Sequence, residues 1–192
     1  MGVNVKKAKI LIVEDSRITA TLIENKLNKF GYIVPNIITS GNEVVDKVKD
    51  INPDLILMDI VLKGAIDGIE TMEEIKKIVD VPVIYLTADN TEKVLERAQA
   101  TAPYGYLIKP INSINLHTAV ETALHRHRLE LTVKRQNSEL IEKQEEMLTI
   151  IKHSKNINNK FKKSSNKYDK EINSLKKEVN ELLLKMGKPE KY

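Results

Sequence analysis

Asp54-Leu55-Ile56-Leu57-Met58-Asp59 is the stretch on which the fold turns: an apolar run without alternation, closed on a carboxylate. A short continuous apolar run of this kind fits a strand covered on both faces. Three further runs close in a comparable way: Ile10-Leu11-Ile12-Val13 on Glu14-Asp15, Val83-Ile84-Tyr85-Leu86 on Thr87, and Tyr106-Leu107-Ile108 on Lys109. If these runs are parallel strands of one sheet, their ends share an edge, and ligands of open α/β sheets bind beyond that edge. Three carboxylates, a hydroxyl and an ammonium would then meet, the equipment for a metal-assisted phosphoryl group on an aspartate.

Working outward, strand and helix patterns alternate. Ala8 to Val13 reads as a buried strand, and Ile18, Leu22, Ile23, Leu27 and Phe30 recur at helical spacing before Gly31 stops the run. Tyr32 to Ile38 is a weaker strand that Pro35 assigns to an edge, and Val44, Val45 and Val48 mark a short helix after Gly41. Behind Leu55 to Met58, the residues Ile69, Met72, Ile75, Ile78 and Val79 again have helical spacing. Val81 to Leu86 and Tyr104 to Ile108 supply two more strands, with a helix over Thr91 to Ala100 between them. Five such repeats predict an α/β fold, a doubly wound five-stranded parallel sheet with helices on both faces.

The chain has 192 residues, 41% hydrophobic and 30% charged, enough for one core of about 100–150 residues and an appendage. It contains no cysteine, which excludes disulfides, thiolate nucleophiles and Cys-ligated metal centres. Apolar runs are strand-length, short of the ~18 residues of a membrane span, and the first residues show neither a signal peptide nor a myristoylation site. The expectation is a soluble cytoplasmic protein with no membrane partner. The net charge of +4 is unevenly divided: 14 Lys/Arg against 17 Asp/Glu up to His125, and 17 against 10 after it.

That division sets the expected domains at 1–125 and 126–192. From Ile111 to Met186 there is no Gly and no Pro, so nothing stops the last helix of the domain from running on until Gly187 and Pro189. Tyr168, Ile172, Leu175, Val179, Leu182 and Met186 follow at alternating steps of four and three, a heptad seam. Carried backwards, the register gives Phe161, Ile151, Met147 and Leu140 but also Ser165, Asn158, Ser154 and Gln144. The Asn-, Ser- and Lys-rich stretch 153–167 is where a break is expected if the tail is two helices.

By their order and residues, these signals resemble the receiver domain of two-component response regulators, over residues 7 to about 125. Ile10-Leu11-Ile12-Val13-Glu14-Asp15-Ser16 resembles the family's first strand with its acidic pair, and Leu57-Met58-Asp59-Ile60 its phosphoacceptor strand. Tyr85-Leu86-Thr87-Ala88 is similar to the strand carrying the switch hydroxyl, and Tyr106-Leu107-Ile108-Lys109-Pro110 to the closing strand with its lysine and a proline expected in cis. The resemblance implies a flavodoxin-like sheet of order 2-1-3-4-5 and a phosphorelay protein whose Asp59 takes a phosphoryl group from a sensor histidine kinase. It implies Mg²⁺ (or Mn²⁺) held by Asp15, Asp59, Glu14 through water and the Val61 backbone carbonyl. It also implies phosphoryl-binding and switch roles for Thr87, Ala88, Lys109 and Tyr106. Such a chain assists its own phosphotransfer and dephosphorylation and is not a conventional enzyme. Two departures stand out: Leu62-Lys63-Gly64-Ala65-Ile66 makes a longer loop before Asp67-Gly68, with Gly in place of the usual Pro, and Gly105 replaces a frequent acid.

Singly, each residue has a plainer explanation: Asp15 as a helix cap, Thr87 as a turn residue, Lys109 as a surface charge, Tyr106 as packing. Their joint occurrence at four strand ends favours the receiver. His125 and His127 do not share a helix face, which argues against a metal or phosphohistidine site on the tail. An aspartyl phosphatase would carry a second acid where Val61 stands. Output is expected through the tail, by homodimerisation or a helical partner. The alternative is nucleic-acid binding through the basic helix, with Lys152, Lys155, Lys160, Lys162, Lys163, Lys167 and Lys170 supplying charge but no recognised motif.

Overall fold

The computed structural model describes residues 7–88 and 92–187. Strands β1 (Ile10–Val13), β2 (Ile37–Ile38), β3 (Leu55–Asp59), β4 (Val83–Thr87) and β5 (Gly105–Ile108) form one parallel sheet in the order β2-β1-β3-β4-β5. Helices α1 (Arg17–Lys29), α2 (Gly41–Ile51), α3 (Gly68–Lys76) and α4 (Glu92–Gln99) connect them, and α5 (Ser113–Lys185) follows β5. This is the doubly wound topology that the apolar runs predict, in the flavodoxin-like order that the resemblance implies.

Successive strand residues point to opposite faces, so runs without alternation feed two cores. On one face Leu11, Val13, Ile56, Met58, Val83 and Tyr85 pack with Val44 and Val48 of α2, Ile69, Met72 and Ile75 of α3, and Ala98 of α4. On the other, Ile10, Ile12, Leu55, Leu57, Ile84, Leu86 and Leu107 pack with Ala20, Ile23 and Leu27 of α1 and with Leu116, Val120 and Ala123 of α5. The two faces meet solvent at the carboxyl ends of the strands.

Local details differ from the sequence reading. Only Ile37 and Ile38 of the second run pair as a strand, with an isolated bridge from Lys9 to Ile33, because Pro35 has no N–H for a ladder. On α1 the buried stripe is Ala20, Ile23 and Leu27, while Ile18, Leu22 and Phe30 are exposed; the small Ala20 takes the place that the apolar spacing assigned to larger neighbours. Ser16 caps α1 by accepting from the Thr19 N–H, so Asp15 is released from that role. Thr91 and Pro189 lie outside the described residues.

The chain divides into two compact units after Val133. Beyond His125, the first unit still includes a buried His127, whose Nδ1 lies 3.0 Å from the Tyr104 hydroxyl. That hydroxyl donates to Glu130, which also receives Arg126 Nε at 3.0 Å. In the second unit helix continues through the 153–167 stretch to Lys185, and Gly187 follows in the left-handed region at φ +68°. The seam residues from Tyr168 to Met186 are 42–68% exposed. No described helix is long and apolar enough to cross a membrane.

Candidate functional site

Strand register assembles the site. Val13 pairs with Met58, Asp59 with Leu86, and Thr87 with Ile108. Glu14 stands one residue past the end of β1, level with Asp59, the last residue of β3, and Lys109 stands one residue past β5, two residues beyond that level. Ligand oxygens of Glu14, Asp15 and Asp59 all lie within 4.8 Å of one another. Lys109 Nζ is 2.7 Å from Asp59 Oδ2 and 2.6 Å from Glu14 Oε2. The Ser16 N–H donates to Glu14 Oε1 at 3.2 Å, and the Val61 N–H to Asp59 Oδ1 at the same length.

The electrostatics are unbalanced toward negative. Glu14 is 1% exposed and Asp59 4%, so both are desolvated, and one ammonium serves them. A second amine, that of Lys63, reaches Asp15 at 3.2 Å, but it is 89% exposed and screened by solvent. Burial, opposed by Lys109 and assisted by Asp59, raises the Glu14 carboxyl above its ordinary value. At Lys109, burial works to lower the pKa, but the hydrogen bonds it donates to Asp59 and Glu14 outweigh it and hold the amine above its ordinary value. A cluster of oxygen donors with excess negative charge fits a hard divalent cation such as Mg²⁺.

The remaining sequence-predicted residues surround this cluster. Thr87 ends β4, 2% exposed, on the sheet face of Tyr85, whereas Asp59 shares the face of Leu57. Ala88 and Val61 are exposed. Tyr106 packs against the Tyr85 side of the core, ring centroids 6.1 Å apart, and its hydroxyl is buried with no hydrogen-bond partner among the described residues. The Lys109–Pro110 peptide bond is cis, and the Lys109 N–H donates to Thr87 O at 2.8 Å. The adjoining Ile111 carbonyl accepts from Lys26 Nζ on α1.

Two supports were not singled out from the sequence. Asp67 caps α3 by accepting from the Ile69 and Glu70 N–H groups, Glu70 reaches back to the Asp67 N–H, and Arg97 Nη2 of α4 lies 2.8 Å from Asp67 Oδ2. Gly68 then lies directly against the end of β3. The Asp67-x-x-Glu70 spacing is a capping-box signature and was the available signal for the first of these.

Residues 10–121 match the response regulator receiver domain. Among solved structures, the chain is 36% identical to the receiver domain of a modulated diguanylate cyclase from Desulfovibrio desulfuricans G20, covering 65% of this chain and 99% of that one, with a TM-score of 0.63. It is 43% identical to the N-terminal domain of a response regulator/sensory box/GGDEF protein from Carboxydothermus hydrogenoformans, over 64% of this chain and 98% of that one, at a TM-score of 0.60. A third similar structure, 40% identical over 77% of this chain and 97% of its own, at a TM-score of 0.64, is described as a yeast Spc42 trimeric coiled coil fused to another structure. The chain therefore belongs to the receiver-domain family of two-component response regulators.

Proposed function

We propose that Asp59 accepts a phosphoryl group from a sensor histidine kinase and that the helical tail carries the output. One observation supports this above the rest: Asp59 stands between two further carboxylates and a lysine whose amine touches its Oδ2. A carboxylate oxygen of Asp59 attacks the phosphorus of the kinase phosphohistidine. The P–O bond forms as the P–N bond breaks, and the imidazole keeps the electron pair and takes a proton. Glu14, Asp15, Asp59 and the Val61 carbonyl are the groups to hold Mg²⁺ or Mn²⁺, which when bound neutralises the cluster and draws charge from the phosphoryl oxygens. Lys109 offers a cation to the same oxygens, and Thr87 a hydroxyl.

The acyl phosphate carries about −1.5 to −2 charges at the sheet edge in place of the single charge of the Asp59 carboxylate. Lys109 then exchanges its contact with Glu14 for the new oxygens, and Thr87 moves toward them, with Tyr106 behind it as the switch on the other face. The chain assists this transfer and its reversal and turns over no separate substrate. The tail transmits the change by self-association or by binding a helical partner.

The test is intact-mass analysis after incubation with acetyl phosphate. A gain of one phosphoryl group with Mg²⁺, abolished by Asp59→Asn and by chelation, is expected. Uptake at another residue, or none from any acyl-phosphate donor, would overturn the assignment.

A further inference from the structure

The seam residues of the second unit, from Tyr168 to Met186, stand 42–68% exposed along the helix. Resting on the reading of the tail as the output arm, we propose that this face pairs with the same segment of a second copy of the chain as a parallel, in-register, two-stranded coiled coil.

The heptad frame places Ile151, Ile172, Val179 and Met186 at a positions and Leu140, Leu175 and Leu182 among the d positions. Each is 42–68% exposed. Ile172, Leu175, Lys176 and Val179 line a hollow on the helix surface. Those are the a, d, e and following a residues that form the hole a knob from a facing helix enters. In the proposed pairing that knob is Leu175 of the second copy. β-Branched residues at a with leucine at d favour two strands over three or four.

Orientation follows from the polar residues in the seam. In the same frame Asn137, Gln144, Asn158 and Ser165 are at a and Ser154 is at d. In a parallel, in-register pair each faces its own copy, and an amide or hydroxyl can both donate to and accept from its twin. An antiparallel pair of the same extent sets Asn137 against Leu182, Gln144 against Leu175 and Asn158 against Phe161, burying amides without partners. Flanking charges agree with the parallel arrangement. Glu171 at g faces Lys176 of the second copy at e, and no g–e pair between residues 136 and 183 brings like charges together. Lys155 and Lys162 at e lie opposite Ile150 and Ile157, where their aliphatic stems cover apolar surface and their amines reach water. The tail's excess of lysine therefore does not oppose the pairing.

The chain has no native cysteine, so single substitutions report contacts directly. Full-length Leu140→Cys and Leu182→Cys should each form a disulfide-linked dimer on mild oxidation, in at least tenfold higher yield than Lys170→Cys on the outer face. Light scattering of the wild type should give twice the 21.8 kDa chain mass. Leu175→Asp with Leu182→Asp should give monomers that still take up phosphoryl groups at Asp59. That readout separates failure of the tail proposal from failure of the receiver assignment. A monomeric wild type, three times the chain mass, or cross-links that form only between Leu140→Cys and Leu182→Cys chains in a mixture would overturn the parallel dimer.

Discussion

A methyl group added at Gly68 would sit 1.9 Å from the carbonyl oxygen of Asp59, so the first turn of α3 is built directly onto the end of the strand that carries the central carboxylate. The Gly68 N–H donates to Ile60 O at 2.9 Å, and the Asp67 cap fixes the turn from the other side. The atoms that the methyl would meet, Asp59 O and C and Ile60 Cα, all belong to backbone, so no side chain can yield. Gly68→Ala should cost about 1–3 kcal/mol in urea denaturation, as overpacking does. It should also weaken Mg²⁺ binding by calorimetry, because Asp59 and Val61 move with the strand end.

Lys109 neutralises carboxylates that are otherwise buried together. Lys109→Met should lower stability by about 2 kcal/mol in the presence of a chelator, with part of the loss restored by millimolar Mg²⁺. Glu14→Gln should act oppositely, raising the urea midpoint without divalent cations while reducing Mg²⁺ affinity, since it removes a desolvated charge that the lysine only partly offsets. Equal effects with and without Mg²⁺ would show that the cluster binds no cation.

The Tyr106 hydroxyl is buried without a partner among the described residues while its ring packs beside Tyr85. Tyr106→Phe should therefore be neutral or stabilising by up to about 1 kcal/mol, because it removes a desolvated hydroxyl and keeps the ring. A loss of stability in urea melts would mean that the hydroxyl has a partner.

Acid should loosen the contact between α5 and Tyr104. The Tyr104 hydroxyl, against some burial and with help from Arg126, holds the Glu130 carboxyl below its ordinary value of 4.5. A carboxylate with a depressed folded pKa contributes stability that is present above the unfolded value and is lost as pH falls through the folded one. Glu130 is 42% exposed, so the contribution is at most about 0.5 kcal/mol. Wild type should exceed Glu130→Gln by that margin near neutral pH, and the gap should close as pH falls below the ordinary value of 4.5 in paired urea titrations.

Much of the site was legible because strand ends are marked by a change from apolar to polar residues, and in a parallel sheet those ends are neighbours. Glu14, Asp59 and Lys109 needed only strand assignment and register to be brought together. The exposed side of α1 was harder: Ile18 and Leu22 satisfy helical spacing as well as Ile23 and Leu27 do, and periodicity cannot say which of two adjacent stripes faces the sheet. Gly68 was hidden for another reason, since its role is the closeness of two backbones and it leaves no pattern in the chain. The compact first unit extends to Val133, and charge composition does not register what packs there, a tyrosine reaching along the helix to His127 and Glu130.

Asp59 and Thr87 belong to opposite sides of one partition. A sheet interior transmits little from one side to the other, since each strand is braced by both layers at once. Its rim is different: Asp59 ends β3 where the layer holding α1 and α5 and the layer holding α2, α3 and α4 come to a common edge. Under the proposed phosphorylation, a change at that border would act on both layers without requiring the middle of the barrier to deform.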